Sequence, residues 1–386
     1  MKRRFAYIYL MVGPAPGVEQ KINDQAVSLD RSGNTDLQII VINPSLERER
    51  GALKHVRVPR NSLTNRLGYA LRRFRLIEDA IDCDAYDLLL LRYPMADGEA
   101  AKFAGRHKVV SEHHTKEVEE RRAQLRSHLP YLQRLHKRVS LQQEVRYGPR
   151  YLGRCTGIVA VSDETRLYQL NRSGSDLPSL TMPNGILVDR VSHTRFRLFD
   201  GSTLHLAFLG GRGSPWHGTD RLLRSLSAYR GRTPIKVHLL GALRPPVGTL
   251  NLPQNVDVEF HGTLLGSDAD TLLSRTNLAI SSLALFECDL GEISTLKTRE
   301  YTARGLPFVI GHVDPDLRPV PEAMKFFLSV PNDDSLIDMD GLIEFAERMA
   351  AREPEDRISD FMRDYARQHM EWGPKLQGLI EFMRGL

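Results

Sequence analysis

Cysteine is scarce in this 386-residue chain: Cys83, Cys155 and Cys288 are scattered and odd in number. That argues against a disulfide scaffold and for a reducing compartment. No C-x-x-C and no H-E-x-x-H occurs, so two familiar zinc signatures are missing. No run approaches the ~20 consecutive apolar residues of a membrane-spanning helix. No Gly-Lys-Ser/Thr follows a glycine loop, which excludes a Walker-type nucleotide site. Short-period repeats and low-complexity tracts are absent. The basic stretches are poor in aromatics, so the stacking platforms of a single-strand nucleic-acid binder are lacking, and no nucleic-acid partner is expected.

What is present is ordinary globular material, 41% hydrophobic and 26% charged. At ~150 residues per domain the length suggests two domains. The net charge of +5 hides an asymmetry. Residues 1–200 carry 33 Lys+Arg against 23 Asp+Glu, a balance of +10, and residues 201–386 carry 20 against 25, a balance of −5. A basic half suits an anionic partner: a phosphorylated substrate or an anionic membrane surface. The amino terminus, MKRRFAYIYLMVGPAPG, has a basic start and an eight-residue apolar run. It reads as a first buried strand, Phe5–Val12, rather than as a signal peptide.

The first half alternates apolar strands with helical stretches. FAYIYLMV, LQIIVIN, YDLLLLRY, HKVVSEHH and GIVAVS read as strands. GVEQKINDQAVSLDRS reads as a helix closed by Gly33. Residues 62–82 carry Leu63, Leu67, Leu71, Phe74, Ile77 and Ile81 at helical spacing, and Ser162 is placed to cap the helix that follows it. MPNGILVDRVSHTRFRLFDGS has turn chemistry and no period, and reads as a linker. The second half restarts the theme with LHLAFLGG, IKVHLLG, VDVEFHG, LAISSL and PFVIG as strands. Continuous apolar strands separated by helices imply parallel sheets covered on both faces. The expected fold class is α/β, with two Rossmann-like doubly wound domains.

Four places carry chemistry. In FLGGRGSPWHGTD, glycines that include Gly211 allow close backbone approach to an anion, and Arg212 offers a planar fork for phosphate oxygens. In GEISTLKTREYTARGLPFVIG a helix starts near Thr295 and Leu296, so its first amides face outward beside Lys297, which suits a diphosphate. Glu300, about a turn further on, suits a vicinal diol such as a ribose, and Glu292 suits sugar hydroxyls. In VVSEHHTKEVEE, Glu112, His113 and His114 follow a strand. Adjacent histidines on extended chain point to opposite faces, which argues against a shared metal. In MVGPAPGVEQK, Gly17 belongs to a turn that opens a helix. Each signal alone is also compatible with an ordinary turn, loop or solvated surface.

Taken in order, GPAPGVEQK, VVSEHHTKEVEE, GIVAVSDET, MPNGI, LGGRGSPWHGTD and the long element from Gly291 to Gly311 resemble the retaining GT-B glycosyltransferases of the family 4 type. The resemblance spans nearly the whole chain, and the E-x7-E element formed by Glu292 and Glu300 is its most specific part. It implies a GT-B fold, with two Rossmann-like domains facing across a cleft. Residues 1–190 would be the acceptor-side domain, joined by a terminal helix at 370–386 that crosses back, and residues 200–369 would bind the nucleotide sugar. It implies a retaining, metal-independent, hexosyltransferase-like enzyme with no cofactor beyond its nucleoside-diphosphate-sugar donor. By the same resemblance Arg212, Lys297 and the Thr295 and Leu296 amides hold the diphosphate, Glu300 the ribose and Glu292 the donor sugar. His114 contacts that sugar near the reacting carbon, with His113 as second choice, and Gly17 and Gly211 line the cleft.

The chain departs from the family by extra residues, ALFECDL, ahead of the Glu292 motif, and by one substitution that matters more. A lysine usually follows the glycine-loop arginine, and here RGSPWHG puts His217 there. Either Lys297 compensates, or His217 is protonated beside the diphosphate, or activity is weakened. The expected acceptor is a glycan or a lipid-linked glycan of cell-surface polysaccharide or glycolipid synthesis. The expected location is the cytoplasm, with the basic half on the inner face of an anionic membrane. The alternative is a catalytically weak GT-B-fold binding or scaffold subunit.

Overall fold

The computed structural model describes residues 3–11, 13, 15–43, 48–57, 72–127, 129–193, 196–210, 213–243, 251–264, 266–352 and 355–386. The chain forms two compact units, one of Met1–Leu187 with Trp372–Leu386 and the other of Val188–Glu371.

The first unit is built on a parallel sheet in the order β4-β2-β1-β5-β6-β7-β8, with a short antiparallel β3 at its edge. The strands are β1 (Phe5–Leu10), β2 (Leu37–Asn43), β3 (Arg48–Arg50), β4 (Leu53–Arg57), β5 (Leu88–Arg92), β6 (Val109–His113), β7 (Gly157–Ala160) and β8 (Ser179–Thr181). β1 lies between β2 and β5, with Phe5 opposite Leu37 on one side and Leu88 on the other. Side chains alternate across the sheet, and both faces are buried. Tyr7, Tyr9, Ile39 and Val41 pack with Ile22, Ala26 and Leu29 of α1 (Pro16–Ser32). Ala6, Ile8, Ile40 and Ile42 pack on the other side with Phe74, Phe103 and Tyr151. This two-sided burial is why the strands read as unbroken apolar runs rather than as alternating ones.

The other helices of this unit are α2 (Arg73–Ala80), α3 (Ala100–Arg106), α4 (Glu117–Arg126), α5 (Tyr131–Leu152) and α6 (Asp163–Ser173). Ser162 caps α6, its Oγ accepting from Thr165 N at 3.2 Å. Gly33 closes α1 in the left-handed conformation. The helix expected over 62–82 is seen from Arg73, and its residues before 72 lie outside the described ones. β1 ends at Leu10, two residues short of the expected strand. The last helix of the chain, α12 (Trp372–Arg384), lies against α1 and adds Trp372, Leu376, Leu379, Ile380 and Met383 to the same core.

The second unit holds a fully parallel sheet, β11-β10-β9-β12-β13-β14. Its strands are β9 (Leu204–Leu209), β10 (Ile235–Leu240), β11 (Val256–Gly262), β12 (Leu278–Ile280), β13 (Phe308–Ile310) and β14 (Phe327–Ser329). Its helices are α7 (Thr219–Ala228), α8 (Ser267–Leu273), α9 (Leu296–Arg304), α10 (Met339–Arg352) and α11 (Glu355–His369). Counted in chain order this is 3-2-1-4-5-6, the doubly wound nucleotide-binding arrangement, and the parallel strands of the first unit repeat it with β8 added as a seventh. The α/β, doubly Rossmann-like class read from the sequence is the class observed.

Candidate functional site

In such a sheet the strand order reverses beside the first strand, and ligands sit beyond the carboxyl ends of the strands at that point. In the second unit the reversal falls between β9 and β12, in the first between β1 and β5.

At the carboxyl end of β9 the chain passes Gly210 and makes a 3-10 turn, Pro215–His217, before Gly218 opens α7. Two main-chain bonds tie that turn to the segment after β12: Leu283 N donates to His217 O at 3.1 Å and Ala284 N to Trp216 O at 3.3 Å. The approach requires glycine at 218. Its φ is +80°, and a Cβ there would stand 2.7 Å from Leu283 Cβ. Arg212 and Gly211, the expected phosphate-grip residues, lie outside the described residues.

α9 begins at the same end of the sheet. Thr295 is its N-cap, with Oγ1 accepting from Thr298 N at 3.4 Å, and the amides of Leu296 and Lys297 lie in the first turn, where no intrahelical acceptor exists. The Lys297 ammonium donates to His217 Nδ1 at 3.1 Å and stands 4.6 Å above the Phe208 ring. Burial brings the Lys297 amine down from 10.5 to about 7. Burial, and then the neighbouring Lys297 charge, hold the His217 imidazole well below its usual value. His217 is therefore neutral. Because its Nδ1 accepts from Lys297, its proton sits on Nε2, where it is a further donor. The structure thus joins Lys297, His217, Thr295 and Leu296.

Glu300 stands three residues after Lys297 on α9, hence on the same side of the helix. One carboxylate oxygen accepts from Arg304 Nε at 3.0 Å and Nη2 at 2.7 Å, and the other lies 3.7 Å from Arg190. Glu292 is 6% exposed and pairs with Arg318 at 2.7 Å. Its segment is bridged to Val313, with Ile293 N donating to Val313 O at 3.0 Å. The sequence reading missed His312, which follows β13. Nδ1 meets Ser282 O at 3.3 Å, Nε2 is buried with no partner among the described residues, and burial pushes the imidazole down to about 3. It is a neutral ring with a spare acceptor at a strand's carboxyl end. Its only sequence signal is its place after the apolar run PFVI. Asp314 and Asp316 are both taken up by the buried Arg299.

In the first unit the two histidines part company. His113 is fully buried and bound at both nitrogens, Nε2 with Ser111 Oγ at 2.9 Å and Nδ1 with Glu117 Oε1 at 2.7 Å. His114 is 19% exposed. Its Nε2 lies 3.2 Å from Lys21 Nζ and 3.0 Å from Glu112 Oε2. Burial pushes His114 down to about 3. Burial alone would raise Glu112, but His114, Lys21 and Arg92 outweigh it and hold the carboxyl well below its usual value. Lys21, missed as a site residue although it ends the motif GPAPGVEQK, also donates to Glu112 Oε1 at 3.2 Å and lies 5.4 Å over the Trp372 ring. Burial lowers it to about 8 against the pull of Glu112. Gly17 lies exposed in the first turn of α1, which starts with Pro16.

No family model and no curated relative matches the chain. Solved structures do match over nearly its full length. A glycosyltransferase from Rickettsia africae is 15% identical, covering 98% of this chain and 97% of its own, with a TM-score of 0.63. A sucrose-phosphate synthase from Thermosynechococcus elongatus is 14% identical over 99% and 98%, with a TM-score of 0.63. Anabaena HepE, solved in complex with UDP and glucose, is 13% identical over 100% of both chains, with a TM-score of 0.61. The fold is the GT-B fold of these glycosyltransferases.

Proposed function

We propose that this protein is a retaining glycosyltransferase that moves a sugar from a nucleoside-diphosphate sugar to a glycan or lipid-linked acceptor in cell-surface polysaccharide or glycolipid synthesis. One observation carries the reading. Lys297 is half-buried at the start of α9 beside a neutral imidazole, and among the described residues no carboxylate pairs with it. A desolvated amine beside unfilled helix amides is a site for an anion of high charge, such as a diphosphate. Its position at the reversal of a 3-2-1-4-5-6 sheet supports the same ligand.

When the glycosidic bond to the diphosphate breaks, negative charge grows on the departing phosphate oxygen. Lys297, the Leu296 amide and Nε2–H of His217 supply fixed positive ends for that charge without a metal, and they need little rearrangement as it develops. Glu300 takes the ribose diol, exchanging part of its Arg304 contact for it. Glu292 takes hydroxyls of the sugar, and Arg212 the diphosphate. His114 keeps the catalytic role given by the resemblance. HepE was crystallised with UDP, so UDP-sugars are the first donors to try.

The test is a melting-temperature panel of nucleoside diphosphates and monophosphates, followed by nucleotide release from the matching sugars. One diphosphate should raise the melting temperature more than its monophosphate, because a ligand of the native state shifts unfolding, and its sugar should turn over. No shift with any diphosphate overturns donor binding. A shift without turnover under any acceptor points to the scaffold reading, which His217 at the usual lysine position favours.

For location, we propose the cytoplasmic face of an anionic membrane. α5 exposes Tyr131, Leu132 and Leu135 at 78%, 76% and 48% in a helix rich in arginine and lysine, a combination that suits the headgroup region. No helix among the described residues is long and apolar enough to cross a membrane. Sedimentation with phosphatidylserine vesicles that fades as salt rises is the expected result, and absence from the pellet at low salt refutes it.

A further inference from the structure

β10 and β11 carry an unusual polar row. In strands, alternate residues share a face. On β10, Lys236 and His238 stand on the side opposite the core residues Val237 and Leu239. On β11, Asp257, Glu259 and His261 stand opposite Val256. The register sets His238 directly against Glu259 and Lys236 against Asp257. On β9, His205 lies level with Lys236 and extends the row.

Three donors, one from β10 and two from β11, converge there. His238 Nδ1 and His261 Nε2 are 3.0 Å apart, and each is 3.4 Å from Glu259 Oε2. The edge of a tetrahedron is about 1.6 times the distance from its centre to a corner. For zinc bonds of roughly 2.0–2.1 Å to nitrogen and carboxylate oxygen, that edge is ~3.3–3.4 Å. The triangle of donors therefore has nearly the size of one face of a four-coordinate zinc site. The surrounding contacts fit as well. His238 Nε2 lies 3.4 Å from His205 Nδ1, which gives the ring's second nitrogen the partner that metal-bound histidines commonly have. Lys236 Nζ occupies the other Glu259 oxygen at 2.5 Å, leaving Oε2 to the two rings.

We propose that His238, Glu259 and His261 form a binding site for a divalent transition-metal cation, best suited to zinc, with water in the fourth position. Two imidazoles and one carboxylate form a donor set of the borderline type that zinc prefers. The ion would fasten edge strand β11 to β10. None of its ligands belongs to the proposed donor site, so the site stands apart from the question of glycosyl transfer.

The experiment titrates the full-length protein, stripped with a chelator and dialysed, with Co2+ and follows visible absorption. Zn2+ is then added as competitor, and melting is followed with Zn2+ alone. One Co2+ per chain is expected, with the intense bands of four-coordinate cobalt, discharged by one Zn2+, and with a Zn2+-dependent rise in melting temperature. His261 and Glu259 are both partly exposed, so H261A and E259Q should fold, as checked by circular dichroism, and both should lose the cobalt bands. H205A should keep the bands with affinity weakened about tenfold. Absence of one-to-one uptake, or bands that persist in both H261A and E259Q, overturns the proposal.

Discussion

Replacing Lys297 with methionine should stabilise the free protein and weaken its grip on a diphosphate. Burial takes the Lys297 amine from 10.5 to about 7. In the unfolded chain the amine ionises near 10.5, so between pH 7 and 10.5 the unfolded state holds the extra proton and native stability rises with pH. Below pH 7 both states are charged and the native state bears the full penalty. The pKa difference corresponds to ~5 kcal/mol. Residual solvent contact of the side chain and loss of the cation–π contact with Phe208 reduce the net gain to ~1–3 kcal/mol. Urea unfolding at pH 6.5 should therefore find K297M more stable than wild type by that amount, and the gain should shrink severalfold at pH 9.5, where the native lysine is already neutral. Binding of the preferred diphosphate should reverse the ranking. At pH 8 the wild type should also take up a proton on binding, because the anion restores the charge on Lys297. Calorimetry in two buffers of different ionisation enthalpy reads that proton. A K297M protein less stable at pH 6.5, or a stability difference unchanged between the two pH values, refutes the reasoning.

Further predictions concern neighbouring elements. Glu300→Gln should weaken the preferred nucleotide about tenfold, the value of one charge-assisted hydrogen bond, in the same melting or calorimetric assay; unchanged affinity removes Glu300 from the ribose role. Gly218→Ala should destabilise by ~2 kcal/mol or more in urea unfolding, since an alanine would carry positive φ and meet Leu283. Trp372→Ala should cost ~3–5 kcal/mol, because the ring is fully buried in the core of the first unit.

The strands and the doubly wound class were legible because two-sided burial writes each strand as an unbroken apolar run and each turn as glycine or a cap. α5 was not, because its interior positions include Ser140, Glu144 and Gly148 while Tyr131, Leu132 and Leu135 face outward. That reverses the pattern from which a helix is read. Lys297 and His217 were legible as parts of motifs, yet their contact spans 80 residues and exists only because the sheet brings β9 beside the segment leading to α9. Lys21 escaped notice as a site residue for the same reason, being 91 residues from Glu112. The difference between His113 and His114 rests on which side of β6 each ring leaves, and alternation foresees that without saying which ring is enclosed.

The two reversal points carry the same small device with opposite electrostatics. In each, a lysine stands beside an imidazole nitrogen, Lys21 by His114 at 3.2 Å and Lys297 by His217 at 3.1 Å, and in each the ammonium lies over an aromatic ring. Lys21 also has Glu112 at 3.2 Å, and that carboxylate pulls its amine upward, so burial leaves it at about 8. Lys297 has no such counter-charge among the described residues, and burial acts on it alone, leaving it at about 7. A buried charge is tolerated when it is paired. Lys21 is already paired, with Glu112. In the proposed function the second lysine is completed by the donor diphosphate, beside the first-turn amides of α9. That asymmetry supports, without appeal to the resemblance, the proposal that the diphosphate binds in the carboxyl-terminal unit.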